Sequence, residues 1–600
     1  MAIVPLDKIT LYGTLDQKDS VLDRLQELGC MHLIDLQNST THALEIVSKD
    51  AREALRYLQA APSKRHATQK RWHYDREQVV DEALRIKRTR IELFQERDYL
   101  QAAIEDLEPW GDFRVDVDLE ARGIKLWFYV IPRRRLEAVQ QSESLWHIAR
   151  LDPQNAYVVI VAAEQPTEIG TAPIALDRRP LRELKRRLGA VEEELDELLW
   201  QRVSLTRWRE LLRFDLDAAD DLVARRAAAA GTLDTDPLFA LQGWVPRAMT
   251  EPIRQLADEH EMAISVEPSS QDELPPTLLQ NPTAIAGAEG CVTFYITPNY
   301  HTWDPTPIVY LAFSFFFAMI VADAGYGFIM ALLLVAFRGR LNRSAGSRRL
   351  RNLIRGIVAL TIVYGVLVGS YFGISPPRGS WLARLQLQWA EQPLVNNQQA
   401  MMILAVSIGV LHLVAANLIR AWKDRRTTRS LGRVGWAVVM IGGFATAMGT
   451  MTANAPVEHG GELLLAIGMI LVVLFSSDEP LWTRSIKSHL RRMFDGAMQV
   501  TNLPKAFGDI LSYLRLFALG LASAQLAVTF NGLSQDAAKI GGVGTLLAIL
   551  IAVFGHGINF VLAIMGGVVH GLRLNCIEFF NWSLTEEGRP FQPFRKKVNH

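Results

Sequence analysis

Apolar and polar positions are distributed unevenly along the 600 residues. Long apolar runs dominate residues 308–575, while residues 1–300 mix short apolar patterns with dense charge. In the N-terminal half, Ile9–Tyr12 and Met31–Leu36 are β-prone and flank Val21–Leu28, which has helical period. Residues 45–108 are charge-rich with helical spacing, interrupted near Pro62. Lys125–Ile131 and Tyr157–Ala162 read as buried strands. Pro180 opens a long helix running toward Ala230. Its apolar positions Leu184, Leu188, Val191, Leu195 and Leu198 are spaced 4-3-4-3, a heptad seam. Leu238–Pro246 and Met262–Val266 read as strands around a helix at 249–259. The economical arrangement folds two helical arms into an antiparallel coiled-coil stalk, with three small α/β pieces meeting at one or both ends. A heptad stripe is packing in itself, and no chemistry is expected there.

Residues 308–339 form an apolar run of 32 residues. As one helix it would be ~48 Å long, against a ~30 Å hydrocarbon core. Asp323-Ala-Gly-Tyr-Gly327 breaks it midway, and Arg338, Arg340, Arg343, Arg348, Arg349 and Arg351 follow at once. The run therefore reads as a helical hairpin turning at Asp323–Gly327. Further spans are expected at about 353–374, 399–422, 433–453, 461–476, 501–533 and 543–575. The loop at 423–432 carries Lys423, Arg425, Arg426 and Arg429; the loop at 477–500 carries Arg484, Lys487, Arg491 and Arg492. Both read cytoplasmic, as does the tail Arg595–Lys597. The loop at 454–460 has no Lys or Arg and reads outside. Eight passes with both termini cytoplasmic satisfy these loops; 375–398, with two arginines, constrains the topology least.

Within these spans lie charges that hydrocarbon does not tolerate. Arg515 sits in the middle of Phe507–Ser523, and Arg573 within Gly566–Leu574. An arginine at mid-bilayer costs about 2.5–3.5 kcal/mol even on lenient insertion scales. Both must be seated in protein or water, which points to ion movement or to grip on a buried anion. On the helix from residue 543, His556, Asn559, Gly566, His570 and Arg573 fall within an arc of about 100°. Asp509, Ser512 and Tyr513 accompany Arg515 on the preceding helix, and Glu578 lies near the cytoplasmic end. Such a stripe also serves as helix–helix glue. Asp509 equally suits pairing with an arginine, and Glu578 an interfacial anchor.

Lysine plus arginine and aspartate plus glutamate each number 64, so no polyanion or nucleic-acid partner is expected. Cys30, Cys291 and Cys576 are too few for a disulfide framework or a zinc site. There is no GxxxxGK[ST] loop, no HExxH and no paired-cysteine motif. No nucleotide, metal or other cofactor is expected on this chain. The N-terminus lacks a basic-then-apolar leader pattern, so the N-terminal half is expected to stay in the cytoplasm.

The segment Phe507–Ser523 (FGDILSYLRLFALGLAS) resembles the signature of the membrane stator subunit of V/A-type rotary ATPases, called I in bacteria and a in eukaryotes. Similar segments occur in order at Leu107–Phe113, Gly243–Pro246, Pro275–Thr277, Asp304–Thr306, Asp323–Gly327, Gly369–Gly373, His570–Leu574 and Glu578–Phe580. The resemblance covers essentially the whole chain. It implies an α+β cytoplasmic part over residues 1–300, with α/β lobes and an antiparallel coiled-coil stalk, and an all-α ion-translocating membrane domain over residues 301–600. The stalk part would hold peripheral-stalk E/G-type subunits and central-stalk or collar subunits. The membrane part would have about eight helices, the last two long and tilted, packed in lipid beside a proteolipid ring of c or K type.

The same resemblance implies two half-channels that carry H+ or Na+ to and from ring carboxylates. Arg515 would stand between them, and Arg573 matches a second channel arginine. ATP chemistry would belong to other subunits, leaving this one non-catalytic, in the cell membrane. An arginine suits the role because it keeps its charge, stabilises a deprotonated ring carboxylate and repels a free cation. Two positions depart from the eukaryotic pattern: Ser523 replaces a common histidine, and Ala563 a glutamate. His556, Asn559, His570 and Glu578, with Asp509, Ser512 and Tyr513, are the expected half-channel lining in their place. The alternative is a secondary transporter with a cytoplasmic regulatory coiled-coil domain. It predicts an internal repeat and two broken helices at mid-membrane, whereas the pattern has one clear break, at Asp323–Gly327.

Overall fold

The computed structural model describes residues 2–37, 49–68, 71–113, 123–136, 139, 144–166, 169, 171–270, 272–377, 379–389, 392–393, 397–477, 486–584 and 586–597. It divides into two compact units. One comprises Met1–Tyr12, Cys30–Ile34 and Gln242–Pro593; the other comprises Gly13–Gly29, Asp35–Leu241 and Phe594–His600.

The N-terminal half runs β1 (Leu6–Thr14), α1 (Lys18–Leu28), β2 (His32–Ile34), α2 (Lys49–Gln59), α3 (Arg76–Leu107), β3 (Lys125–Pro132), β4 (Leu145–Leu151) and β5 (Asn155–Ala162). It continues with α4 (Leu181–Leu205), α5 (Arg209–Ala230), β6 (Leu233–Thr235), β7 (Leu238–Pro246), α6 (Thr250–Glu259) and β8 (Ala263–Pro268). One sheet has the order β2-β7-β1-β8, with β6 paired onto β7. β1 and β8 run antiparallel from Asp7↔Pro268 to Tyr12↔Ala263. Gly243 is required where β7 meets β2, because a Cβ there would lie 2.6 Å from the His32 carbonyl oxygen. The first and third of the three expected α/β pieces are therefore one sheet. Strand pattern reports which face is buried but not which distant strand supplies the partner.

In the second unit, β3-β5-β4 form a separate antiparallel sheet. β4 was not anticipated from the sequence. Two long helices, α3 and α4, pack through one core: Ile86, Leu93, Leu100 and Leu107 against Leu184, Val191, Leu195 and Leu198. They run antiparallel, since Lys185 reaches Glu108 at 3.0 Å while Arg85 reaches Gln201 at the other end. Asp75 caps α3 by accepting from the Glu77 and Gln78 amides. The expected seam on α4 is thus the packed face.

The membrane half begins with α7 (Glu289–Tyr295), α8 (Thr306–Val321), α9 (Ala324–Ala336), α10 (Ala345–Val368), α11 (Gln398–Lys423), α12 (Arg429–Met451) and α13 (Ala455–Phe475). It ends with α14 (Ile486–Val500), α15 (Leu503–Leu511), α16 (Leu514–Ala538), α17 (Val543–Arg573), a π-turn (Leu574–Phe579) and α18 (Phe580–Ser583). The α8–α9 run is the expected hairpin. Tyr310 packs at Gly356, Asp323 and Ala324 at Gly365, and Gly327 beside Ile362. α8 therefore runs with α10, and α9 runs back against it. At Gly365 any side chain would collide with the turn's backbone. Ala322 makes the turn in the left-handed region at φ 47.

Among the described residues, six helices are long and apolar enough to cross a membrane: Ala345–Val368, Gln398–Lys423, Arg429–Met451, Ala455–Phe475, Ile486–Ala538 and Val543–Ser583. The hairpin arms, 16 and 13 residues, are shorter. The 477–500 stretch, expected as a loop, contains α14, and the expected 501–533 span is broken at residues 512–513. Arg484 lies outside the described residues.

Candidate functional site

Around Arg515 the helix tightens: the Arg515 amide donates to the Ser512 carbonyl and the Leu516 amide to that of Tyr513, both three residues back. This leaves the Ser512 carbonyl facing the arginine side chain, and Arg515 Nε donates to it at 3.0 Å. Nη2 donates to Glu578 Oε1 at 2.5 Å. The Glu578 side chain is 3% exposed and that of Arg515 25%. Glu578 sits in the π-turn that follows α17. Its Oε2 is buried and has no donor among the described residues.

The other expected residues fall into three settings. Asp509 pairs with no arginine among the described residues; its Oδ2 accepts from Trp582 Nε1 at 2.7 Å. Tyr513 is wholly buried, with its hydroxyl 2.8 Å from His412 Nδ1 and its ring edge-on to Phe316. Arg573 is exposed and makes no ion pair among the described residues.

His556 and Asn559 do meet, through a residue of the hairpin turn that the helix stripe does not include. Tyr326 Oη lies 2.9 Å from His556 Nδ1 and accepts from Asn559 Nδ2 at 3.0 Å. Asn531 Nδ2 donates to the Phe372 carbonyl, which turns Asn531 Oδ1 toward His556 Nε2 at 3.0 Å. His556 must then carry its proton on Nε2 and accept from the Tyr326 hydroxyl on Nδ1. Asn559 also donates to the Ser523 carbonyl and accepts from the Ser523 hydroxyl. Beside this chain lies a mainly apolar cavity of about 400 Å³, walled by residues such as Leu519, Leu526 and Leu562, which Ser523, Asn559 and His570 also border. His570 Nδ1 is buried without a partner among the described residues. The stripe read from the helix thus divides: Asn559 and His570 border the cavity, while His556 faces Asn531 and Tyr326. Tyr326 is signalled by its place one turn after the break at Asp323, whereas Asn531, inside α16, carries no comparable local signal.

The hairpin tip anchors this network. Asp323, 4% exposed, accepts four hydrogen bonds. Oδ1 takes the Tyr326 and Phe372 amides, both at 3.0 Å; Oδ2 takes the Ser370 hydroxyl at 2.6 Å and the Gly373 amide at 3.0 Å. Phe372, at φ 52, then packs edge-on to both Tyr326 and His556.

No family model matches the chain. Curated relatives do. V-type ATP synthase subunit I of Chlamydia pneumoniae is 27% identical over 598 aligned residues, covering 87% of this chain and 86% of that protein. V-type ATP synthase subunit I of Borreliella burgdorferi is 24% identical and covers 99% of both chains. Over most of its length the chain is a homologue of V/A-type ATP synthase subunit I. A-type ATP synthase subunit I of Methanocaldococcus jannaschii is 25% identical over 69% of this chain. A solved cytoplasmic N-terminal domain of subunit I, homolog of subunit a, of V-ATPase aligns with 43% of the chain at 17% identity and a TM-score of 0.25, too loose a superposition to bear on the fold. With six membrane-length apolar helices among the described residues, this subunit I homologue is a multi-pass membrane protein.

Proposed function

We propose that the chain is the ion-translocating stator subunit of a V/A-type rotary ATPase or ATP synthase. The observation that carries this reading is Arg515: a cationic side chain on a membrane-length helix, gripped from behind by Glu578 and a backbone carbonyl, with a quarter of its surface open. A ring carboxylate arriving on that open side meets a fixed positive charge. That charge favours its deprotonated form and turns back a free cation. The cavity at Ser523, Asn559 and His570 forms one half-channel. Asp509 and Glu578 lie toward the other. Arg573, exposed at the end of α17, meets the ring or the aqueous exit.

Val543, Leu546, Val553 and Phe554 on α17 are each more than 60% exposed. An apolar face of that extent calls for lipid or a proteolipid ring of c or K type. The antiparallel α3–α4 pair is a coiled-coil stalk that meets peripheral-stalk E/G-type and collar subunits. The hairpin arms complete eight passes in the cell membrane, with both termini cytoplasmic. ATP is made or hydrolysed on other subunits.

Purification of the chain from membranes tests the assignment. It brings down a ring proteolipid and soluble ATPase subunits, and vesicles carrying that complex acidify on ATP addition, or load sodium when sodium is the coupling ion. Isolation as a lone transporter that moves a solute without ATPase subunits contradicts it.

A further inference from the structure

We propose that Glu578 is the resident counter-ion of Arg515: a positioning residue that holds the guanidinium between visits of ring carboxylates and limits how tightly each visitor is held. The inference deepens the stator reading above and rests on it.

Three observations carry it. Glu578 reaches Arg515 across 63 positions of sequence, at 2.5 Å, from a site almost closed to solvent. It does so from a π-turn, a rare widening of the helix that recurs at functional sites. In a continued α-helix, position 578 would point about 140° away from Arg573; the π-turn alters that direction. Finally, Glu578 commits one oxygen only. Arg515 has five N–H donors in a planar fork. Nε is taken by the Ser512 carbonyl and one Nη2 hydrogen by Glu578, while the others have no partner among the described residues. The guanidinium is thus oriented from one side and open on the other.

The consequence is electrostatic. A bare guanidinium in a low-dielectric site binds a carboxylate strongly and releases it slowly. A guanidinium already paired with Glu578 attracts the ring carboxylate less, so it can favour deprotonation without trapping the rotor. Without Glu578, the uncompensated charge would lower the proton affinity of the visiting carboxylate further. Reloading that carboxylate would then need more acid. The groups that also face the pair are Asp509 and Tyr513 on the Arg515 side, and His570 and Cys576 on α17 and the π-turn, with the exposed Arg573 beside His570. Lys505 stands behind Asp509, His412 behind Tyr513 and Cys291 behind Cys576. The variants below leave all of them in place.

The test uses the whole complex in vesicles, comparing wild type, Glu578→Gln and Glu578→Asp. Complex yield, initial pumping rate and its pH profile are read together. The expected result is assembly with Glu578→Gln, pumping slowed about tenfold and the profile moved toward acid. Glu578→Asp keeps the charge and restores most of the rate and the position of the profile. If the coupling ion is sodium, the half-saturating sodium concentration rises in Glu578→Gln in place of the acid shift. A wild-type rate and profile in Glu578→Gln overturns the proposal. So does an equal loss in both variants with an unmoved profile, which marks a purely structural pair. Should Glu578→Gln fail to assemble, Glu578→Ala, which removes the charge and leaves room for water beside Arg515, takes its place: an acid-moved profile that Glu578→Asp does not show supports the proposal, and a profile in the wild-type position overturns it. The stator reading itself fails separately, if Arg515→Gln combined with Glu578→Gln still pumps normally.

Discussion

Asp323 and Glu578 are both buried carboxylates of the same membrane unit, and they are held in opposite ways. Asp323 is saturated by neutral donors, three backbone amides and a hydroxyl, in a geometry that joins the hairpin tip to the 370–373 loop. Among the described residues Glu578 has one partner, which is charged, and an oxygen left over. Buried polar groups are normally paired in full, and the exceptions call for an explanation. The contrast separates a carboxylate that pins structure from one placed beside a charge that, on the stator reading proposed above, changes partners.

The largest effect expected from this contrast is at the pin. Asp323→Ala strands four buried or half-buried donors, and each unsatisfied group costs about 1–3 kcal/mol. Yield of folded chain should collapse, read as loss of a monodisperse peak in detergent. A normal yield would mean the saturated geometry is not what holds the hairpin. Next comes Tyr326→Phe, which removes the hydroxyl joining His556 to Asn559 and leaves both short of a partner. It should destabilise the chain by about 1–3 kcal/mol in a thermal unfolding assay of the purified complex. If the network also relays ions, pumping falls several-fold as well. The smallest structural effect is expected at Glu578→Gln, because the partly exposed Arg515 can turn to water. A thermal shift as large as that of Tyr326→Phe would erase the distinction between the two sites.

Much of this was legible in the chain, for reasons that differ by element. Arg515 and Arg573 stood out because charge within an apolar run has few structural excuses. The hairpin was readable because 32 apolar residues are too long for one crossing and a helix-breaking motif sits at their centre. The α3–α4 packing followed from heptad spacing on α4. What escaped was non-local. Strands β1 and β8 are some 250 residues apart, and no local pattern announces their pairing. The Arg515–Glu578 contact depends on a π-turn, which a fixed 100° per residue cannot anticipate. Asp509 found an indole rather than an arginine, because α18 folds Trp582 over it. The basic residues before Val500 predict a loop. Arg492 instead buries itself in α14 by donating to the Leu474 carbonyl at 2.6 Å.

Arg515→Ala alone is an ambiguous test of the account, because it leaves Glu578 buried without its partner. Breaking a buried pair from one side costs about 3–5 kcal/mol, so lost activity could reflect lost structure. The direct measurement is ATP-driven ion uptake by vesicles carrying the complex with Arg515→Gln and Glu578→Gln together, at matched complex yield. The account predicts ATP hydrolysis without ion uptake, at least a hundredfold below wild type. Uptake close to that of Glu578→Gln alone would contradict it, because ions would then be crossing without the arginine.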